Sequence, residues 1–389
     1  MTPFEFSTVT RIIFGRGQFA RIGELAAPLG QRALIVYNGS ESLLHQLQQL
    51  LSTANIPSTP FRQKGEPTVD DIDRALATAR QNNCDLVLAL GGGSAIDAAK
   101  AVAGLLTNGG SLLDYLEVVG KGQKISRPAA PWIAIPTTAG TGAEVTKNAV
   151  IGYPPRQMKA SIRSDLLLAR IALIDPELAR AVPADVTARC GMDALCQLIE
   201  GYTSTGATPF TDALALEGLT RAARSLHHAF THGNDLDARE DMALAALLSG
   251  SVLANAGLGA AHGLAAPLGA AFPIPHGTAC AILLPLVMSA NVTALRQSDV
   301  HHPALTRYAT LGRTLTANST LDDSTAIQAD IDFAQTLCRN LQIPTLRPFG
   351  LTESAFPAII ALAQKSSSMR YNPTRLSDQS LASILRQAL

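Results

Sequence analysis

Cysteine is scarce in this chain. The five (Cys84, Cys190, Cys196, Cys280 and Cys338) are scattered, odd in number and without CxxC spacing, which argues against a disulfide framework and against a cysteine zinc site. Net charge is missing as well: 31 basic residues balance 31 acidic ones. No basic face is therefore advertised for nucleic acid or an anionic membrane, and small molecules are the expected partners. The first residues, MTPFEFSTVTRIIFG, lack a basic stretch followed by an apolar core, and no uninterrupted apolar run is long enough to span a bilayer. A reducing, cytoplasmic setting is the expectation. Neither a repeat of fixed period nor a low-complexity tail is present, and the spacings GxGxxG and GxxxxGK[ST] are absent from the glycine-rich stretch described next.

The 389 residues are 47% hydrophobic, enough for two domains with substantial cores. Residues 86–100, LVLALGGGSAIDAAK, organise the first of them. The apolar run Leu86-Val87-Leu88-Ala89-Leu90 reads as a strand buried on both faces. Gly91, Gly92 and Gly93 then remove every Cβ where the backbone turns, so main-chain N–H groups can approach an anion. Ser94 stands where a helix N-cap would, and the alanine-rich continuation reads as a helix packed on a sheet. Strand, glycine turn and helix start together describe a phosphate cradle. A tight βα turn with no ligand is the other reading of these glycines, and Asp97 and Lys100 read equally as solvated helix residues.

Residues 4–15 read as a strand pair or hairpin and residues 18–29 as a short helix. A strand at residues 32–37 ends at Asn38-Gly39-Ser40, the turn that in a doubly wound sheet faces the adenosine of a dinucleotide. Asn38 is uncharged there, which leaves NAD and NADP both open. Residues 61–67 read as a third strand with its exit loop, and residues 69–82 as an amphipathic helix. Another buried strand, residues 132–136, runs into Thr137-Thr138-Ala139-Gly140-Thr141-Gly142, a loop of small hydrogen-bonding groups able to line a nicotinamide or phosphate, or simply to cap and turn the chain. Lys159 reads either as a surface charge or as a residue that reaches the cofactor. This alternation predicts a mainly parallel α/β sheet over residues 1–183; from Pro183 on, alanine and leucine recur at helical spacing, predicting an all-helical domain over 184–389.

Within the helical half, Asp193 and Gln197 lie four apart and share a helix face among apolar neighbours, and a buried carboxylate there needs a partner. His262, in Ala261-His262-Gly263, and His276, in Pro275-His276-Gly277, follow. Asp, His and His, with an amide oxygen as a weak fourth group, form a set able to hold a divalent transition metal; two such histidines serve as readily as hydrogen-bonded core residues.

Taken in order, GGGSAID, PTTAGTGAEVT, GMDAL, AHG and PHG resemble the iron-containing (group III) alcohol dehydrogenase family, over nearly the whole chain. The resemblance implies an α/β NAD(P)-binding domain plus an all-helical domain, together a dehydroquinate synthase-like architecture, with a metal beside the nicotinamide. It assigns Gly92, Gly93, Ser94 and Asp97 to the pyrophosphate, Thr137, Thr138 and Thr141 to the cofactor-lining loop, and Lys159 to the cofactor. Asp193, His262 and His276 match three metal ligands. The fourth family ligand, a histidine, is Gln197 here, and a histidine tied to proton handling is Ala266.

The implied activity is an NAD(P)-dependent alcohol dehydrogenase, or aldehyde or ketone reductase, in which Fe2+ or Zn2+ polarises the substrate oxygen. An amide oxygen binds such metals more weakly than imidazole, so a metal-independent reductase resembling maleylacetate reductases is the alternative, with His262 or His276 as donor or acid. An NAD(P)-binding protein with an inactive site is a third reading; a dehydroquinate-synthase-like lyase is disfavoured by the few basic residues near the PHG turn. A substrate pocket is expected near Ile151, Phe272 and Cys280, for small or medium uncharged alcohols, and a homodimer is expected from the N-terminal strand and family analogy.

Overall fold

The computed structural model of the chain describes residues 3–156 and 158–389, which form two compact units, Ser7–Val182 and Pro183–Leu389. The second unit also takes the described residues ahead of Ser7. That placement departs from the expected split, and its cause is apolar: Phe6 sets its ring edge-on against Phe210, centroids 4.6 Å apart.

The first unit contains strands β1 (Ile12–Phe14), β2 (Ala33–Tyr37), β3 (Ser58–Arg62), β4 (Leu86–Gly91), β5 (Trp132–Pro136), β6 (Asn148–Tyr153), β7 (Met158–Arg163) and β8 (Ile171–Ile174). Its helices are α1 (Ile22–Ala26), α2 (Glu41–Thr53), α3 (Val69–Gln81), α4 (Gly93–Asn108) and α5 (Leu112–Tyr115). Six strands make one all-parallel sheet in the order β1-β8-β5-β4-β2-β3. Every residue of β2, β4, β5 and β8 is buried, as expected of apolar runs covered on both faces. Ile35, Leu88, Leu90, Ile133 and Leu173 pack with Ile22, Leu44 and Leu47 of α1 and α2, while α4 packs on β4, β5 and β2.

Three local readings need correction. The predicted hairpin over residues 4–15 is a single short strand, β1, paired in parallel with β8; its partner lies far along the chain, where no local pattern points. Residues 18–29 fold as a 3₁₀ turn, Gln18–Arg21, followed by the short α1. The third strand begins at Ser58 rather than at residue 61. Residues near Lys159, left without an element by the sequence, form the antiparallel hairpin β6–β7.

The sheet order fixes where a ligand can enter. From β2 the chain steps outward to β3 and then returns on the other side of β2 as β4. The carboxyl ends of β2 and β4 are therefore neighbours at the reversal, where doubly wound sheets open a crevice.

The second unit is helical among the described residues: α6 (Ala184–Thr203), α7 (Pro209–Thr231), α8 (Leu236–Ala256), α9 (Ala260–Ala271), α10 (His276–Ser298), α11 (Pro303–Leu315), α12 (Asp323–Asn340), α13 (Phe356–Ala363) and α14 (Asp378–Gln387). Helix α6 packs against α7, α8 and α10, so nearly its whole surface is covered. By length and composition α10 is apolar enough to cross a membrane, although polar residues interrupt its apolar run; 72% of its apolar stretch is buried inside the protein, as in a core helix.

Candidate active site

At the end of β4 the glycine turn is held by side chains rather than by a cap. Helix α4 starts at Gly93 with Gly92 as its N-cap, so Ser94 lies inside the first turn and is not the cap itself. Asn38, just past β2, accepts from the Gly92 N–H at 2.9 Å through Oδ1 and donates from Nδ2 to Ser94 Oγ at 2.7 Å. Its amide is thereby committed to bracing the turn. Gly91 has φ 154°, and a Cβ there would run into Asn38 Oδ1; Cβ atoms on Gly92 and Gly93 would press on Thr138 and Thr141. Thr137 closes the arrangement by donating its N–H to Gly91 O at 3.0 Å. The amides of Gly93 and Ser94, with no partner among the described residues, open the helix where its dipole favours an anion.

Lys100 is not solvated, and Asp97 is only partly exposed. Lys100 is fully buried and donates to Ala143 O (2.9 Å), Thr146 Oγ1 (2.9 Å) and Asn148 O (2.6 Å). Asp97 accepts from the Val150 N–H at 3.0 Å and stands 3.7 Å from the Lys100 ammonium. Three residues apart on α4, the two side chains bolt the helix to the threonine loop and to β6. The carboxylate matched to the pyrophosphate is thus also engaged with the scaffold. Burial lowers the Lys100 pKa to about 8, against the opposing charges of Asp97 and Glu144, and the buried Glu144 carboxyl is pushed up to about 7. Lys159, on β7, pairs with Glu66 at 2.6 Å. Ile151, expected near the pocket, is wholly buried in the hairpin's packing.

In the helical unit Asp193, His262 and His276 come together. Asp193 Oδ1 lies 3.2 Å from His262 Nε2 and 3.8 Å from His276 Nε2. Gln197, buried on the same helix as Asp193, has its Oε1 accepting from Ser249 Oγ at 2.9 Å. Cys280 joins the three. Its sulfur is 3.6 Å from His276 Nε2, and donor atoms of Asp193, His262, His276 and Cys280 all lie within 4.8 Å of one another. The sequence supports this geometry locally, because His276 opens α10 and Cys280 follows one turn later on the same face. Gly277 lets the start of α10 meet α6, since a Cβ there would strike the Arg189 carbonyl oxygen and lie 3.4 Å from Asp193 Cβ. On the far side of the His262 ring, Nδ1 is 2.7 Å from Glu200 Oε2, and Glu200 Oε1 accepts from the Ala261 N–H at 2.6 Å. A carboxylate in that place holds the ring with Nε2 toward the other donors, as outer partners of metal-binding histidines do.

Two family models match the chain: "Iron-containing alcohol dehydrogenase" over residues 9–176 and "Fe-containing alcohol dehydrogenase family, C-terminal" over residues 187–389. The chain belongs to the iron-containing alcohol dehydrogenase family. It is 39% identical over 331 residues to the probable alcohol dehydrogenase EutG of Escherichia coli, a match covering 83% of this chain and 80% of the relative. Among solved structures, a 1,3-propanediol oxidoreductase superposes with a TM-score of 0.92 at 32% identity, covering 100% of both chains. A sulfoacetaldehyde reductase from Bifidobacterium kashiwanohense, solved in complex with NAD+, gives 0.87 at 27% identity, covering 99% of this chain and 98% of that one. The protein is accordingly an oxidoreductase acting on CH–OH groups, with a parallel α/β unit followed by a helical one.

The donor chemistry of this family member fits a divalent cation. Bonds of about 2.0–2.3 Å to oxygen, nitrogen and sulfur in a tetrahedron separate the donors by roughly 3.3–3.8 Å, and the observed spacings of 3.2, 3.6 and 3.8 Å match. Burial works against a charged His262, but Cys280, Asp193 and Glu200 outweigh it and hold the imidazole well above its ordinary pKa. His276 is raised by Cys280 first and then Asp193, against burial. Burial likewise opposes a Cys280 thiolate, yet the Cys196 thiol and both imidazoles hold Cys280 well below the ordinary thiol range, while Cys196 is pushed up by burial. Ala266, at the family's proton-handling position, is an exposed residue of α9 one turn past His262. Phe272, half-buried, ends that helix. Sequence reasoning missed Glu200, Cys280 as a donor, and the Lys100 clamp. Spacing was the available signal for each: Glu200 falls seven residues after Asp193, Cys280 four after His276, and Lys100 three after Asp97.

Proposed function

We propose that this protein interconverts small alcohols with their aldehydes or ketones using NAD or NADP, with a divalent metal held by Asp193, His262 and His276. The convergence of those three side chains, Asp193 and His262 buried and His276 partly exposed, carries the reading. When bound, the cation, Fe2+ or Zn2+, supplies Lewis acidity toward a substrate oxygen, and the nicotinamide takes or gives hydride. The chain's own contributions are distinct. Gly93 and Ser94 offer backbone amides to the diphosphate, and Asn38 keeps that turn in place. Asp193 brings the negative charge that a cation needs, and Glu200 orients His262. Ala266 has no group that can carry a proton, so proton exchange falls to solvent or the cofactor ribose.

The test is turnover of a panel of alcohols and aldehydes with NAD(H) and NADP(H), run alongside metal analysis of protein purified without chelator. Activity that needs metal and is lost on chelation is expected. Undiminished turnover by metal-free protein would replace this reading with the metal-independent reductase, for which the direct Asp193–His262–Glu200 bonding gives a framework. Cofactor binding with no hydride transfer across the panel would leave only an NAD(P)-binding protein.

A further inference from the structure

We infer that Cys280 supplies the metal ligand that Gln197 does not, so that the centre is a carboxylate–imidazole–imidazole–thiolate set that prefers zinc to iron. The inference rests on reading the helical cluster as a metal centre, and it adds which atoms complete it. Gln197 shares a helix with Asp193, but its amide oxygen is held by Ser249. A neutral amide oxygen already shared with a buried hydroxyl is a weaker donor to a soft divalent cation than a thiolate. Cys280 offers that thiolate. Its sulfur already lies 3.6 Å from His276 Nε2, within 4.8 Å of Asp193 and His262 donor atoms, and the residue is fully buried.

A second grouping, Cys196, Glu200 and His262, competes on paper. It uses His262 through Nδ1, the nitrogen already bonded to Glu200, and Glu200 is further engaged by the Ala261 N–H. Cys196 therefore flanks the centre from the outside, 3.6 Å from that same Nδ1. Thiolate in place of a neutral nitrogen or oxygen donor softens the set, which shifts preference from iron(II) toward zinc.

Cobalt(II) reports sulfur ligation directly. The full-length protein, stripped with chelator and kept in a non-chelating reductant, is titrated with Co2+ and its absorption recorded. The expected result is a near-ultraviolet sulfur-to-cobalt charge-transfer band together with intense visible bands of a four-coordinate site. Cys280→Ser should lose the charge-transfer band, whereas Gln197→Ala and Cys196→Ser should keep it. Loss of an outer partner already lowers metal affinity by about 10–100-fold, so zinc affinity in Cys280→Ser should fall by ~100-fold or more. Circular dichroism checks that each variant is folded. Visible cobalt bands without the charge-transfer band, or a band that survives Cys280→Ser, would overturn the inference while leaving the metal reading intact. Failure of the unaltered protein to bind cobalt, zinc or iron at all would overturn both.

Discussion

Where α4 begins, the groups offered to a ligand belong to the main chain, and the side chains around them serve to keep the backbone in place. Asn38 bonds the turn itself, Thr138 and Thr141 crowd its glycines, and Asp97 and Lys100 tie the helix to the threonine loop and β6. Among α6, α9 and α10 the roles are exchanged: regular helices carry Asp193, His262, His276 and Cys280, and these side chains are what a ligand would meet. The first region is a shape and tolerates no added bulk. The second is a set of donor atoms and tolerates bulk better than a change of element.

That contrast is open to breakage, beginning with the strongest effect. Gly92→Val leaves an ordinary φ of −81° but places branches over the helix start. Losing two charge-assisted backbone contacts of roughly 1.5–3 kcal/mol each should weaken NADH binding by about 100-fold or more. Fluorescence titration measures this, and bound metal per chain should not change; parallel loss of metal would show that the two regions are not independent in the way described. Glu200→Gln comes next. The amide can still face His262 Nδ1 but lacks the charge, and metal affinity should drop by about 10–100-fold with nucleotide binding unaltered. Competition with a chromophoric chelator reads the first, and the same titration reads the second.

The mildest effect concerns Asp330 on α12, fully buried with neither carboxylate oxygen bonded among the described residues, unlike the paired carboxylates of both regions. Burial holds its pKa well above the ordinary value. The folded form thus keeps a proton that the unfolded chain releases, and stability falls as pH rises past the ordinary Asp range. Asp330→Asn should raise the thermal midpoint at neutral pH, by an amount equivalent to about 1–3 kcal/mol. The gain should disappear once the buffer is acid enough to protonate Asp in the unfolded chain. A gain that persists unchanged at low pH would mean that packing, not charge, is responsible.

The same contrast decides how much was legible in the sequence. A strand of apolar residues followed by three glycines announces a backbone feature in a single stretch, and residues 86–93 hold both the strand and the turn. The brace on that turn was hidden because Asn38 and Gly92 are 54 residues apart. The metal donors come from three helices, so spacing alone left Asp193, His262 and His276 as one option among several until their order was matched to a family. Cys280 reads in the sequence as pocket lining, because cysteines without CxxC spacing carry no metal signal. Its partner, His276, stands only one turn earlier. β1 was misread for the reverse reason: its neighbour, β8, lies near the other end of the unit.

Gly277 acts as the shim between two of these helices. Its lone hydrogen sets how near α10 can lie to Asp193 and Arg189. Any larger residue would lift His276 and Cys280 away together while Asp193 and His262 stayed behind, opening the donor cage on one side. A single carbon atom with no affinity for metal could therefore retune or silence the centre, and the ligand inventory would read the same before and after.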